Sequence, residues 1–510
     1  MEGAKKYYIT TAIPYVNAAP HIGHALEFAQ ADALANYRRM RGEEVFLTTG
    51  ADENSLKNVR AAEKLGIGVE ELCKRNSAAF REMAEGIGLK FDAFIRSSIK
   101  QEHWQGPMML WELCNENGDI YTKKYRGIYC VACELFYTED ELVNGLCPEH
   151  GIKPEIVEEE NYFFRLSKYQ KRLEQLLESG ELQILPQSRK NEMLGFIKEG
   201  LEDFSISRSN NRAKGWGVPV PGDDSQKMYV WFDALCIYLT GVGFGGDEAK
   251  FNRWWPAEMH VIGKGITRFH AIYWPAMLMS AGLKLPKTLF VHGYVTVEGQ
   301  KMSKTAGNVL DPMMLINKYG RERLRYYLLK EIPTFEDGDL SEEGLVRVVN
   351  NELVSNLGNF IHRTLTFAHG NFEGAVDGAE LEPKEKEMMD GIYKMVGQAD
   401  LLFEEGRIRD AIVKILEIGN EANKYFQNSA PWELVKKDRE ATMKILFVCC
   451  NICRIISNML YPFLPMASME LLGFVGAKVV PFDELKNLQK SFKIEKPRIV
   501  FDKIREEGAR

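Results

Sequence analysis

The first residues whose spacing suggests chemistry are two histidines at the start of a predicted helix. They lie in His21-Ile22-Gly23-His24, which follows a short apolar run (residues 7–13) and Pro14. A helix N-terminus offers free N–H groups and a positive dipole end, both suited to a phosphate. Gly23 lets a nucleotide approach the backbone closely. The motif predicts a nucleotide site, and the alternative is a helix cap with incidental histidines.

A second candidate site contains two lysines, in Lys301-Met302-Ser303-Lys304-Thr305, after a predicted strand and turn. Lysines flanking a small hydroxyl residue can hold a triphosphate and neutralise charge that develops during phosphoryl chemistry. The alternative is a solvated basic turn. The chain has no Walker loop, which disfavours a general NTPase site.

Four soft ligands form a third candidate site. Cys130 and Cys133 are separated by two residues, as are Cys147 and His150. Two such pairs joined by a short connection suit one tetrahedral zinc. With every position filled by protein, the zinc would be structural. The alternative is a set of unrelated buried cysteines and a surface histidine.

The elements that would carry these residues alternate in type. A strand (residues 7–13), a helix (22–40) and a second strand (43–49) predict a parallel βαβ unit. Strand-like runs return at 227–232, 259–262 and 288–297, and helical runs dominate after residue 342. We expect five segments: the first half of an α/β domain (1–118), an insertion (119–224), its second half (225–298), the lysine loop with a linking region (299–345) and a helical domain (346–510).

Composition excludes several classes of protein. The 510 residues are 45% hydrophobic and 27% charged, an ordinary globular balance over more than one core. The net charge of −7 does not identify a nucleic-acid partner. The apolar stretch 445–464 is interrupted by Asn451, Arg454 and Asn458, which favours a buried helix over a membrane span. With no apolar targeting segment near Met1 and nine cysteines expected to be reduced or metal-bound, we expect a cytoplasmic protein.

The two nucleotide motifs together resemble the HIGH and KMSKS signatures of class I aminoacyl-tRNA synthetases, with Thr305 in place of the last serine. Over nearly the whole chain the resemblance narrows to the methionyl-tRNA synthetase family. It is carried by residues 13–24, Ala31-Asp32, residues 50–53, 229–235 and 290–294. The resemblance implies a Rossmann-like parallel-sheet catalytic domain split by a zinc-binding connective insertion, followed by an α-helical anticodon-binding domain. The single Cys3His site resembles a bacterial one-zinc type.

The resemblance also implies roles for particular residues. Asp52 would bind the substrate α-ammonium, and His292 would face its sulfur. The full methionine set is Ile13, Tyr15, Asp52, Trp231, Ala234, Leu235, Tyr238 and His292. The ATP set is His21, Gly23, His24, Arg208, Lys301, Ser303 and Lys304, of which His21, His24, Lys301 and Lys304 would be catalytic. The anticodon set is Asn359, Arg363, Pro431 and Trp432. The alternative for Trp231 and Tyr238 is that they are ordinary core aromatics.

Two positions depart from the family pattern. Gly265 stands where relatives commonly carry an aspartate that could accept from a ribose hydroxyl, and Leu235 stands where relatives may carry proline. Contacts to ATP at residue 265 are therefore in question.

The implied reaction is activation of L-methionine by ATP with Mg²⁺, followed by transfer to tRNA(Met), in a monomer that does not bind membranes. Discrimination against homocysteine, shorter by one methyl, is worth only about 1–3 kcal/mol in a pocket, so an editing reaction is also implied. Two alternatives stay open. One is a related class I enzyme for isoleucine, leucine, valine or cysteine; the other is a non-catalytic RNA-binding protein on a synthetase scaffold.

Overall fold

The computed structural model describes residues 5–132, 135–149, 151–297, 299–301 and 310–505. Its first part, before residue 119, alternates strands and helices: β1 (Lys6–Thr11), α1 (Ile22–Met40), β2 (Glu44–Ala51), α2 (Leu56–Leu65), α3 (Val69–Ile87), β3 (Ala93–Arg96), a π-helical turn (Lys100–Trp104) and α4 (Gln105–Glu116).

The second part is richer in strands: β4 (Ile120–Cys130), β5 (Leu135–Tyr137), β6 (Glu155–Phe164), a 3-10 turn (Leu166–Tyr169), α5 (Gln170–Ser179), β7 (Gln183–Leu185), α6 (Gln187–Glu199), β8 (Phe204–Ser205), β9 (Ser207–Ser209), β10 (Pro219–Val220) and β11 (Asp223–Met228). The third part returns to mixed structure: α7 (Val230–Ala234), α8 (Ile237–Thr240), α9 (Glu248–Trp254), β12 (Met259–Gly263), a 3-10 turn (Lys264–Ile266), a π-helical segment (Phe269–Tyr273), α10 (Trp274–Ser280), β13 (Thr288–His292), β14 (Val295–Val297) and β15 (Gln300–Lys301).

The last part is mostly helical: α11 (Pro312–Tyr319), α12 (Arg321–Glu331), β16 (Gly338–Asp339), α13 (Glu342–Val348), a π-helical segment (Val349–Gly358), α14 (Asn359–Phe372), β17 (Ala375–Asp377), α15 (Pro383–Glu404), α16 (Ile408–Ser429), α17 (Pro431–Leu434), α18 (Arg439–Leu460), α19 (Pro465–Phe474), a 3-10 turn (Phe482–Lys486) and β18 (Ser491–Lys493). The predicted α/β part followed by a helical part is confirmed.

A parallel sheet in the order β3-β2-β1-β12-β13-β7 organises the α/β part. Parallel strands place their carboxyl ends at one edge, where α/β proteins bind ligands. The segments that follow β1, β2 and β12 lie at that edge and carry His21, Asp52 and His270, respectively. His292 is the last residue of β13 and lies at the same edge. The edge therefore brings the predicted nucleotide and amino-acid residues together.

The sequence prediction was wrong about residues 227–232. The strand ends at Met228 in a separate antiparallel sheet, β10-β11-β9, and residues 230–234 form helix α7. The backbone N–H groups of Phe232 and Asp233 donate to the Tyr229 carbonyl at 2.9 and 3.3 Å, which starts the helix. Because the run is buried on all sides, its apolar pattern does not distinguish a short helix from a strand.

Two further predictions about strands need correction. The predicted strand 288–297 is broken at Gly293, where a Cβ atom would lie 2.1 Å from the Glu336 carbonyl oxygen. Within the predicted insertion 119–224, strand β7 pairs in parallel with β13. Part of that segment therefore belongs to the main sheet. Strands β4 and β6 pair with each other in antiparallel orientation in a separate sheet.

Helix α18 is the described helix that is long and apolar enough to cross a membrane. Of its apolar window, 83% is buried inside the protein, and it carries the buried thiols of Cys449, Cys450 and Cys453. This agrees with the prediction of a buried helix. The core that contains α18 also includes side chains of α1, so the helical part and the α/β part share one apolar interior.

Candidate functional site

The two motif histidines cap helix α1 with their own side chains. His21 is the residue before the helix, and its Nδ1 accepts from the Gly23 backbone N–H at 3.1 Å. The Nδ1 of His24 accepts from the His21 N–H at 3.1 Å, and the two rings lie 3.8 Å apart between centroids. The arrangement satisfies two N–H groups that a helix start would otherwise leave without partners.

These caps determine the tautomer of each ring. Because Nδ1 accepts a hydrogen bond, the neutral ring carries its proton on Nε2. Burial lowers the pKa of His21 to about 4, and burial together with His21 lowers the pKa of His24 well below its usual value. Both rings are therefore neutral near pH 7, and each has an Nε2–H that can donate to a phosphate oxygen.

Asp52 lies at the carboxyl end of β2 with 1% of its surface exposed. Its N–H donates to the Pro14 carbonyl at 2.9 Å, and its Oδ1 accepts from the Asn54 N–H at 3.3 Å. An isolated bridge pairs Asp52 with Tyr15, on the loop that precedes His21. The carboxylate is thus held beside the β1–α1 loop, where a buried cation would find a charged acceptor.

An aromatic wall lies along the same edge. The Trp231 indole stacks on Phe269 at 3.8 Å between centroids, and Tyr15 meets Trp231 edge-on at 6.0 Å. The Tyr238 hydroxyl lies 2.8 Å from His270 Nε2. His270 Nδ1 lies 2.9 Å from the Ile266 carbonyl, which can only accept, so Nδ1 donates and Nε2 accepts from Tyr238.

The sequence prediction missed Phe269 and His270 as pocket residues. Both lie on the π-helical segment that follows β12, where π-helical turns often mark functional sites. Burial lowers the pKa of His270 to about 4, which keeps the ring neutral beside Tyr238. Their position just after a strand that ends at the ligand edge was the available signal.

His292 contacts oxygen atoms through both ring nitrogens. Its Nε2 lies 2.9 Å from a carboxylate oxygen of Glu27, and its Nδ1 lies 2.7 Å from the Gly293 carbonyl. Both ring nitrogens thus face oxygen acceptors, which are stronger than a thioether sulfur. The predicted placement of His292 facing the substrate sulfur stays a prediction, and Tyr238 and His270 lie beside the aromatic wall.

The other predicted small-molecule residues occupy the same region. Ala234 and Leu235 are buried around helix α7, and half-buried Ile13 packs against the same core. Arg208 on β9 is buried, with its guanidinium 5.6 Å from the centre of the Tyr229 ring. Their predicted contacts with methionine and ATP stay predictions.

The lysine motif is only partly described. Lys301 ends strand β15, whose backbone pairs with β14. Ser303, Lys304 and Thr305 lie outside the described residues, so their predicted contacts with ATP stay predictions.

Half of the predicted zinc set is described. Cys130, at the end of β4, and Cys147 are both buried and pack in one small cluster with Tyr137. Cys133 and His150 lie outside the described residues. In the described ranges no group of three or more potential metal ligands occurs. Two buried thiols brought together from separate segments fit a soft metal, and the full site stays a prediction.

The predicted anticodon residues cluster at one end of the helical part. The Arg363 guanidinium lies 5.7 Å from the Trp432 ring centre and 5.2 Å from that of Phe426. Exposed Asn359 is one helical turn before Arg363, and Pro431 starts helix α17. The structure therefore brings an aromatic ring, a guanidinium and an amide to one surface, the groups that grip unstacked bases.

The departure at Gly265 has a structural counterpart. A Cβ atom there would lie 2.1 Å from the hydroxyl oxygen of Tyr294. An aspartate would not fit unless Tyr294 moved. The Tyr294 ring also contacts Lys264, whose Nζ binds Asp337 at 2.7 Å. The tyrosine hydroxyl thus occupies the space that the missing side chain would fill.

Family models match most of the chain. The model described as tRNA synthetases class I (M) matches residues 7–154 and 149–365, and that of the anticodon binding domain of methionyl tRNA ligase matches residues 376–510. The methionine–tRNA ligase of Brucella melitensis is 42% identical over 479 residues, 93% of this chain and 92% of that protein. The Rhizobium meliloti enzyme of the same name is 40% identical over 518 residues, 98% of each.

Solved structures agree with these matches. Mycobacterium tuberculosis methionyl-tRNA synthetase in complex with methionyl-adenylate superposes with a TM-score of 0.93 at 38% identity, covering 98% of this chain and 99% of that one. The apo form of the same enzyme gives 0.87 at 35% identity, covering 99% of each. Sequence and fold agree, and the chain belongs to the methionine–tRNA ligase family of class I tRNA synthetases.

Proposed function

We propose that this chain activates L-methionine with ATP to methionyl-adenylate, releasing pyrophosphate, and transfers the methionyl group to the 3′-terminal ribose of tRNA(Met). The observation that carries the proposal is the edge of the parallel sheet, where a buried carboxylate (Asp52), an aromatic wall (Trp231, Phe269) and two neutral capping histidines meet.

The amino acid would lie between Asp52 and the aromatic wall. Asp52 binds the α-ammonium, because a cation taken out of water needs a charged acceptor. The thioether packs against Trp231 and Phe269, where sulfur–aromatic contacts are worth about 0.3–1.5 kcal/mol each. The Tyr238 hydroxyl donates its hydrogen to His270 Nε2, which holds the Tyr238 ring in place for packing against the thioether.

ATP would lie with its phosphates at the start of α1. The Nε2–H groups of His21 and His24 donate to phosphate oxygens, and Gly23 allows the close approach. Lys301 and Lys304 neutralise charge on the departing pyrophosphate, Ser303 donates from the same loop, and Arg208 binds from β9. The Mg²⁺ that accompanies ATP would supply positive charge that stabilises the phosphates there.

The chemistry is then in-line attack of the methionine carboxylate on the α-phosphorus. The new bond joins a carboxylate oxygen to phosphorus, and the bond to pyrophosphate breaks. The terminal ribose hydroxyl of tRNA next attacks the acyl carbon and AMP leaves. Positioning and charge stabilisation suffice, so no covalent enzyme intermediate is required.

The remaining segments have proposed supporting roles. Cys130, Cys133, Cys147 and His150 would hold one structural zinc that stabilises the connective segment within residues 119–224. Residues 1–118 and 225–298 would form the catalytic domain, residues 299–345 the lysine loop and its link, and residues 346–510 would bind the anticodon through Asn359, Arg363, Pro431 and Trp432. We infer that the protein works as a cytoplasmic monomer.

The test is amino-acid-dependent exchange of pyrophosphate into ATP. Methionine, isoleucine, leucine, valine and cysteine are compared with wild-type protein and with Lys304→Ala. Exchange with methionine alone, lost in the variant, supports the proposal. Exchange with a different amino acid overturns the pocket assignment, and no exchange with any of them favours an RNA-binding protein on a synthetase scaffold.

A further inference from the structure

Helix α1 joins the catalytic edge to the helical part. Its start carries His21 and His24, and its later turns contact α12, α15 and the turn between α18 and α19. At 1.5 Å per residue the 19 residues of α1 span about 28 Å. A helix does not shorten easily, so a displacement at one end is carried to the other.

A buried ion pair fixes the middle of α1. Asp32 and Arg325 are 0% and 1% exposed, and Arg325 Nη2 donates to Asp32 Oδ2 at 2.8 Å. The same guanidinium donates from Nε to the Phe463 carbonyl at 2.8 Å and from Nη1 to the Ile87 carbonyl at 3.0 Å. Arg325 therefore joins α1, the end of α3, α12 and the turn between α18 and α19.

Both oxygens of the Asp32 carboxylate also accept hydrogen bonds from other groups. Its Oδ1 accepts from the Lys90 N–H at 3.0 Å, and its Oδ2 also accepts from the Asn36 amide at 2.8 Å. The Asn36 amide in turn donates to the Pro462 carbonyl at 3.3 Å. Because the groups are buried and mutually satisfied, the middle of α1 has one strongly favoured position relative to α18 and α19.

A second set of contacts fixes the end of α1 to α15. The Tyr37 hydroxyl donates to an Asp400 carboxylate oxygen at 2.7 Å, and its ring stacks on Phe403 at 4.9 Å. Arg38 Nη2 donates to Glu404 Oε2 at 2.7 Å. Tyr37 is buried, but the side chains of Asp400 and Glu404 are partly exposed, so these contacts can be altered with less risk to folding than the fully buried ion pair.

We propose that α1 is a rigid link between the helical domain and the catalytic site. The Asp32–Arg325 pair and the Tyr37 and Arg38 contacts hold α1 against the helical domain, so that RNA bound there positions His21 and His24 for ATP. Asp32, Tyr37, Arg38 and Arg325 are positioning residues, since they act through the histidines. The inference rests on the proposed anticodon site.

The experiment uses a short RNA hairpin with a CAU loop, too short to carry an acceptor end. Methionine-dependent exchange is measured as a function of ATP, with and without the hairpin, and hairpin binding is measured separately by fluorescence anisotropy. The test variant combines Tyr37→Phe with Glu404→Gln at the second joint. The control is Glu181→Gln, which removes an exposed pair with Arg172, also at 2.7 Å, on the distant helix α5.

We expect the hairpin to raise kcat/KM for ATP about 5-fold in wild-type protein and in the control, in the range typical of coupled sites. The double variant should bind the hairpin equally well and keep its basal exchange, but lose most of the response. If these contacts only stabilise the fold, the variant will lower Tm and keep the response, which overturns the proposal. If the wild-type protein binds the hairpin with no rise in kcat/KM for ATP, the proposed role of α1 is overturned and the anticodon site is not. If the protein does not bind the hairpin, the proposed anticodon site is overturned as well.

Discussion

Replacing Tyr238 by phenylalanine tests the proposed methionine pocket with a small change in one side chain. The change removes one hydroxyl, which lies 2.8 Å from His270 Nε2, and keeps the ring that packs in the wall. His270 is 1% exposed and its Nδ1 already donates to the Ile266 carbonyl. The variant therefore leaves Nε2 as a buried acceptor without a donor in the free enzyme.

Two magnitudes follow from this geometry. A buried polar group left unsatisfied costs about 1–3 kcal/mol, which should appear in the free energy of unfolding. Without the hydrogen bond to His270 the Tyr238 ring is no longer held against the thioether, and a sulfur–aromatic contact of about 0.3–1.5 kcal/mol corresponds to a rise of about 2- to 13-fold in the KM for methionine. The KM for ATP should stay unchanged because Tyr238 lies on the amino-acid side of the site.

The assay is pyrophosphate exchange at varied methionine and at varied ATP, together with urea unfolding. Tyr8→Phe is the matched control: its hydroxyl donates to the Tyr238 carbonyl at 2.6 Å in the same buried layer, and removing it leaves the Tyr238 hydroxyl in place. Equal rises in the methionine KM in both variants would attribute the effect to general loosening of the core and refute the assigned role. An unchanged methionine KM in Tyr238→Phe would refute it directly.

Three other outcomes are expected. Asp52→Asn should raise the KM for methionine about tenfold or more, since a charge-assisted hydrogen bond is worth about 1.5–3 kcal/mol, and an exchange assay with an unchanged methionine KM would argue against the ammonium site. Burial lowers the pKa of His270 from 6.5 in the unfolded chain to about 4 in the folded protein, so the unfolded chain binds a proton at higher pH than the folded one. The free energy of unfolding should therefore fall as pH drops from about 6.5 to about 4, by at most about 1.4 kcal/mol per pH unit for this group. Urea unfolding of His270→Gln over that range should give a smaller slope, and an identical slope would contradict the buried neutral ring. Arg363→Ala should raise the KM for tRNA in charging and leave exchange without tRNA unchanged; a loss in both assays would indicate misfolding instead of a lost base contact.

The sequence identified features whose signals are local. His21 and His24 were placed correctly at a helix start because a strand, a proline and a helical apolar pattern surround them within a few residues. The long helices α15, α16 and α18 were found because each keeps an apolar stripe over many turns. The sequence predicts helices at 384–404, 408–426 and 438–460, and the observed ends differ from these by at most three residues.

Features that depend on distant contacts were missed. The pairing of Tyr238 with His270 depends on how α8 and the segment after β12 fold together, and the sequence contains no periodic pattern for that contact. The contact between His292 Nε2 and the Glu27 carboxylate joins two residues 265 positions apart, which no local pattern predicts. The space near Gly265 is likewise decided by Tyr294, from a different loop.

The central claim is most directly tested by charging itself. Wild-type protein is mixed with ATP, Mg²⁺, labelled methionine and a tRNA transcript with a CAU anticodon, and acid-precipitable label, AMP and pyrophosphate are measured together. The account predicts one AMP and one pyrophosphate for each methionine attached to tRNA, and no label on a tRNA whose terminal ribose has been oxidised. Release of ADP, or label that fails to reach tRNA while ATP is consumed, would contradict it.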